Sequence, residues 1–69
     1  SVPAMDVTAL NSLEKFYAKC QKNNITLLLS HVEEQPYSMM EHAGFVKMVG
    51  KENFCAHIDD ALAKAESLK

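Results

Sequence analysis

The segment from Ile25 to Ser30 constrains the fold of this chain more than any other. It reads ITLLLS, so apolar residues follow one another instead of alternating with polar ones. A strand of this kind is typical of a parallel sheet that is covered on both faces. Its backbone N–H and C=O groups need neighbouring strands as partners. The segment therefore predicts a small sheet with other strands beside it.

A first helix is predicted before this strand. Either Asp6 or Thr8 can cap its start, and Asn23-Asn24 can end it because asparagine tolerates the left-handed conformation found there. Apolar residues recur between these ends at helical spacing. The side chains predicted to be buried are Leu10, Leu13, Phe16 or Tyr17, and Cys20.

Two more helices are predicted after the strand. Gln35-Pro36 begins the first of them, because a proline is accepted in the first turn, and Gly44 ends it. Its predicted buried residues are Met39, Met40 and Ala43, with Phe45 folded back onto the last turn. The last helix is predicted from His57 or Ile58 to Leu68, and its apolar stripe is Ile58, Ala61 or Leu62, Ala65 and Leu68.

The segments between these two helices predict a short strand and a turn. Val46 to Val49 is expected to be a strand and Gly50 to Asn53 a turn. Ser1 to Met5 resembles the end of another strand that enters a loop. The sequence thus predicts three helices but only one convincing strand, which lacks the neighbouring strands that its backbone groups need. We therefore expect its early strands to lie upstream or in another chain.

Composition disfavours several classes of function. The chain has 69 residues, a net charge of −2, and no arginine among its seven basic side chains. Arginine is the preferred group for contacts with phosphate and guanine, so nucleic-acid binding is not expected. No basic cluster favours an anionic membrane surface, and the longest apolar run is far too short to span a bilayer. Cys20 and Cys55 are expected to be reduced thiols.

Three short motifs follow one another in a specific order. Val2 to Leu10 reads VPAMDVTAL, with an aspartate just before the first helix. Ala43-Gly44-Phe45 ends the second helix, Gly50 to Phe54 reads GKENF, and Asp59 to Leu62 reads DDAL. Together they resemble the STAS domain (sulfate transporter and anti-sigma-factor antagonist). They are most similar to the C-terminal domain of bacterial sulfate-permease-type anion transporters.

This resemblance implies an α/β fold, with helices packed on a small, mostly parallel sheet. Residues 1–69 would form the C-terminal part of a single STAS domain whose early strands are missing here. The implied function is non-catalytic regulation at the cytoplasmic face of the bacterial inner membrane. The implied partners are the transporter's membrane part, a second copy, or a soluble protein such as acyl carrier protein. No cofactor, metal or nucleic acid is implied, and the transported anion stays open.

The alternative is a free-standing antagonist in a partner-switching pathway. In that class the residue after the loop aspartate is a phosphorylated Ser or Thr, and here it is Val7. Thr8 occupies the next position, and Ala9 replaces the loop glycine. A phosphoswitch at this loop is therefore disfavoured, whereas the transporter resemblance does not depend on a hydroxyl.

The candidate site residues form two groups. Asp6, Val7 and Thr8 form a candidate regulatory loop, although Asp6 and Thr8 are also ordinary capping residues. His31, Glu33 and Glu34 follow the presumed parallel strand, at the edge where open α/β sheets bind ligands, so they are candidate partner contacts. The spacing of the histidines and cysteines fits no zinc motif, and no nucleophile with an orienting base is evident. The chain is not expected to be an enzyme.

Overall fold

The computed structural model describes residues 4–69, which form an α/β fold with a two-stranded parallel sheet. Leu29 pairs with Phe54 and Ser30 with Cys55. In chain order the elements are helix α1 (Val7–Lys22), strand β1 (Leu29–Ser30), helix α2 (Glu34–His42), helix α3 (Phe45–Val49), a 3-10 turn (Lys51–Asn53), strand β2 (Phe54–Cys55) and helix α4 (Ile58–Ser67). The predicted strand end over Ser1 to Met5, and the Val2-Pro3 part of the first motif, fall largely on residues 1–3, outside the described residues.

Helix α1 begins and ends where its polar flanking residues predict. The Asp6 carboxylate accepts a hydrogen bond from the Ala9 backbone N–H at 2.8 Å, which makes Asp6 the cap. At the other end Asn24 has a left-handed backbone with φ of 57°. The Ile25 N–H donates to the carbonyl oxygen of Cys20 at 2.8 Å, and the Asn24 N–H donates to that of Gln21 at 3.2 Å. This pair of bonds is a Schellman motif, which satisfies the last carbonyl groups of the helix.

The predicted strand over Ile25 to Ser30 is too long, because β1 contains only Leu29–Ser30. The Ile25 N–H is already used by the cap of α1, so a ladder cannot begin there. The Ile25 side chain is 55% exposed, so the prediction of burial on both faces is wrong at this end. The prediction of parallel pairing is confirmed.

The core lies between α1, α2 and α3. Phe45 and Met40 are its largest fully buried side chains. The ring of Phe45 meets that of Tyr17 edge to face, with centroids 5.7 Å apart. The Tyr17 hydroxyl donates to the backbone carbonyl of Met48 at 3.0 Å, so its polar tip is satisfied while its ring is buried. The remaining buried members of this cluster are Leu10, Val46 and Val49.

The predicted strand from Val46 to Val49 is wrong, because this segment is helical in α3. Gly44 ends α2 in a left-handed conformation with φ of 82° and immediately starts the next helix. Phe45 and Val49 are four residues apart and share the buried side of that helix, whereas Met48 is exposed. The second strand lies at Phe54–Cys55 instead. On α2, which begins at Glu34, the predicted burial of Met40 is confirmed and that of Ala43 is wrong.

Helix α4 has the predicted bounds, but of its predicted apolar stripe only Ala61 is buried, and the expectation is wrong for the other members. Ile58 and Leu62 are 52% and 61% exposed, and Ala65 and Leu68 are also exposed. None of the helices in the part of the chain that the structure describes is long and apolar enough to cross a membrane.

Candidate functional site

A cleft opens where β1 runs into α2, beside the loop that precedes α1. Its volume is about 430 Å³. We call it the loop cleft. Its apolar lining consists of Ala4, Met5, Leu13, Leu29, Val32, Pro36 and Met40. Its polar lining consists of Ser30, His31, Glu33, Glu34 and Gln35. It lies at the carboxyl end of a parallel strand, the edge where open α/β sheets bind their ligands.

The two loops that border the cleft are joined by Gln35. Its Oε1 accepts a hydrogen bond from the Met5 N–H at 2.9 Å, and its Nε2 donates to the Met5 carbonyl oxygen at 3.3 Å. The side-chain amide thus occupies both backbone groups of Met5, much as a neighbouring strand would. Gln35 was predicted only as a helix start, because no local pattern connects it to a residue 30 positions away.

His31 makes the turn out of the sheet. Its backbone is left-handed with φ of 55°, and its N–H donates to the Cys55 carbonyl oxygen at 3.2 Å, which extends the ladder by one bond. The His31 ring lies against that of His57, with centroids 5.4 Å apart and planes at 69°. The turn therefore aims the following residues, Val32 to Gln35, along the side of the cleft.

The cleft has an acidic rim. Glu33 and Glu34 are exposed and stand at the start of α2, where Glu33 is the cap residue but makes no side-chain cap bond. The lining contains no lysine. Among residues 4–69 the ion pair formed is Lys69 with Glu66, at the far end of the chain, so neither rim glutamate is neutralised by a described cation. An apolar floor under uncompensated carboxylates is chemically suited to an apolar group accompanied by positive charge.

The structure brings the two predicted groups of site residues to neighbouring loops. His31, Glu33 and Glu34 line the cleft, and Asp6 directly follows the lining residue Met5. Val7 and Thr8 lie outside the lining, and both are exposed in the first turn of α1. The Asp6 carboxylate is occupied by capping. The regulatory role of the loop from Asp6 to Thr8 stays a prediction. The partner-contact role of the loop that carries His31, Glu33 and Glu34 also stays a prediction.

Metal ligands do not converge in the described residues. No group of three or more His, Cys, Asp or Glu side chains within residues 4–69 could hold a metal ion. Cys20 is buried and Cys55 is half-buried, and both are free thiols. The His31–His57 contact is accordingly a pair of rings without a third ligand.

Comparison with known proteins gives two matches. The family model of the STAS domain matches residues 1–64. The fold superposes with a TM-score of 0.90 on the crystal structure of a sulfate transporter family protein from Wolinella succinogenes, at 39% sequence identity. That match covers 97% of this chain and 55% of the other, so this chain spans about half the length of its structural relative. No curated protein matches the sequence.

Proposed function

Because this chain belongs to the STAS domain family, we propose that it is a non-catalytic regulatory and interaction domain of a sulfate-permease-type anion transporter. The observation that carries the proposal is the similarity to a sulfate transporter family protein over 97% of the chain, at 39% identity. Under this proposal the domain belongs to an integral membrane protein and lies at the cytoplasmic face of the bacterial inner membrane. The membrane part carries the anion, and this domain modulates it through contacts.

The organisation of the domain is part of the same proposal. Residues 1–69 form the C-terminal part of one STAS domain, and further strands of that domain extend the sheet. The exposure of Ile25, Ile58 and Leu62 supports this arrangement, since additional strands would cover such side chains. The partners proposed are the transporter's membrane part, a second copy of the domain, or a soluble protein such as acyl carrier protein.

The free-standing antagonist is the competing function, and the structure supplies an observation on each side. Val7 is 62% exposed at the acceptor position, so a kinase could reach it, but it has no hydroxyl to phosphorylate. Thr8 is exposed in the first turn of α1, where free N–H groups favour a phosphate. Treatment of the chain with candidate anti-sigma kinases, followed by mass spectrometry of Thr8, separates the two functions. Stoichiometric phosphate on Thr8 would favour the antagonist.

The first test of the proposal is the size and location of the parent gene product. An antibody raised against this segment is used to probe fractionated source cells. We expect a band of several hundred residues in the membrane fraction. Deletion of the segment from that protein should then change anion uptake in cells. A tag appended to the deletion variant, detected with an antibody against the tag, shows whether that variant still reaches the membrane. A soluble band the size of one small domain would overturn the proposal.

A further inference from the structure

We propose that the loop cleft binds a segment in which an apolar side chain is flanked by lysine or arginine, supplied by a cytoplasmic loop of the membrane part. This inference rests on the proposed function and specifies its interaction site. Three properties of the cleft carry it: an apolar floor, an acidic rim, and a hydrogen-bonded connection between the two loops that border it.

The floor suits an apolar side chain. Leu13, Leu29, Val32 and Met40 lie beneath the opening, and Met40 is itself only 1% exposed, so the base of the cleft is continuous with the core. A volume of about 430 Å³ exceeds that of any one side chain and lies within the usual range of ligand pockets. A leucine or phenylalanine placed there would leave water and contact packed apolar atoms.

The rim selects the charge of the occupant. The start of α2 carries the partial positive charge of a helix N-terminus, equivalent to about half an elementary charge. Glu33 and Glu34 stand at that position with two full negative charges, so the net field at the rim is negative. The described residues provide no ion-pair partner for either carboxylate. A lysine or arginine beside the inserted apolar group would supply one, whereas an anionic lipid surface would be repelled.

The shape of the cleft is set before any partner arrives. Both backbone groups of Met5 are held by the amide of Gln35, and the His31 turn is held by its bond to Cys55. Binding therefore requires little ordering of this chain. Cytoplasmic loops of membrane proteins carry an excess of lysine and arginine, so a transporter's own loops have the chemistry that the rim selects.

A fluorescent peptide tests the proposal. The probe has one phenylalanine flanked on each side by two lysines, and its binding to the complete STAS domain of the parent protein is followed by fluorescence anisotropy. We expect saturable binding that weakens as salt is added. A peptide with glutamates in place of the lysines, and one with serine in place of the phenylalanine, should bind much more weakly. Equal binding of all three peptides, or no binding of the first, would overturn the proposal.

Variants of the chain locate the site. The double change Glu33→Gln with Glu34→Gln should weaken binding about three- to tenfold, because each rim-exposed charge contributes modestly. The matched control is Glu41→Gln, an exposed glutamate on the same helix that does not line the loop cleft. Ala4→Trp, at an exposed loop position, should block the opening without a change of charge. Circular dichroism verifies that each variant is folded. An equal effect of Glu41→Gln would contradict the assignment.

The outcomes separate the inference from the proposed function. A membrane-bound parent protein combined with a cleft that does not discriminate between the peptides would overturn the inference alone. A soluble, single-domain gene product would overturn the proposed function, whatever the peptides do. If both the proposed function and the inference hold, cross-linking in intact cells from a photoreactive residue placed at position 33 should trap the membrane part.

Discussion

Phe45 is the most completely buried side chain of the core, and its truncation tests the fold. The ring is completely buried and packs edge to face with Tyr17 at 5.7 Å. Truncation of a buried phenylalanine to alanine costs about 3–5 kcal/mol, including the cavity that it leaves. At about 0.05–0.15 kcal/mol per residue, 69 residues account for about 3–10 kcal/mol of a domain's stability. Phe45→Ala should therefore remove between about a third and all of it.

Urea unfolding followed by circular dichroism measures this loss. With a slope of about 1 kcal/mol per molar urea, the midpoint should fall by about 3 M or the native baseline should disappear. Phe45→Leu keeps most of the volume and should cost about 1–1.5 kcal/mol. The control is Phe16→Ala, which removes the same side chain from a position that is 53% exposed, and should cost about 1 kcal/mol or less.

The comparison of these two alanine variants tests whether the contact between Phe45 and Tyr17 forms the centre of the core. If Phe45→Ala and Phe16→Ala shift the midpoint by the same amount, the packing of α1 against α3 described above is wrong. If both shifts are small, the core lies elsewhere. A large difference in the expected direction, with Phe45→Leu in between, would support the edge-to-face contact as the centre of the core.

Three further predictions concern local features. Asp6→Ala should lower the free energy of unfolding by about 1 kcal/mol, because it removes the cap on the Ala9 N–H, whereas Asp6→Asn should change it little; urea titration distinguishes them. Gly44→Ala should cost about 1–2 kcal/mol because its φ is 82°, and Gly44→Asn less, measured in the same way. Iodoacetamide should alkylate half-buried Cys55 before buried Cys20, as mass spectrometry of a time course will show, and the reverse order would contradict the burial described.

The helices could be predicted from the sequence wherever their ends carry local chemical signals. Asp6 caps α1, Asn24 ends it, and Gly44 ends α2, all through interactions within a few residues. The bounds of α4 were predicted instead from its helical apolar spacing and from Asp59-Asp60 in its first turn, since its cap residue His57 makes no side-chain cap bond. Such signals depend only on backbone geometry and nearby donors, which the sequence specifies directly.

The short apolar segments could not be assigned in this way. Val46 to Val49 contains too few residues to distinguish a strand from a helix by periodicity. Its conformation is decided by Phe45, which must reach Tyr17 across the core, and by the left-handed turn at Gly44. Ile25 was predicted to begin a strand, but its N–H caps α1. In both cases the deciding contact involves a residue outside the segment.

In the candidate site, too, some features could be predicted from the sequence and others depend on long-range contacts. The rule that ligands bind at the carboxyl edge of a parallel sheet predicted the position of His31, Glu33 and Glu34, and these residues do line the cleft. The hydrogen bonds between the Met5 backbone and the Gln35 side chain could not be predicted, because they join residues 30 positions apart. The sheet topology therefore determines where the loop after β1 lies, whereas the contact between Met5 and Gln35 determines how that loop is held.

The exposed stripe of α4 links the fold to the proposed domain organisation. Ile58 and Leu62 are one turn apart on the same side of the helix, and each is more than half exposed. Covering such side chains contributes about 1 kcal/mol apiece at the usual value per unit of apolar area. Of the predicted apolar face, Ala61 is buried within this chain. Lys64 adds a 2.7 Å hydrogen bond to the Glu52 carbonyl oxygen. Under the proposal that further strands extend the sheet, this stripe is a packing surface of the same domain, and the loop cleft is the surface left for a partner.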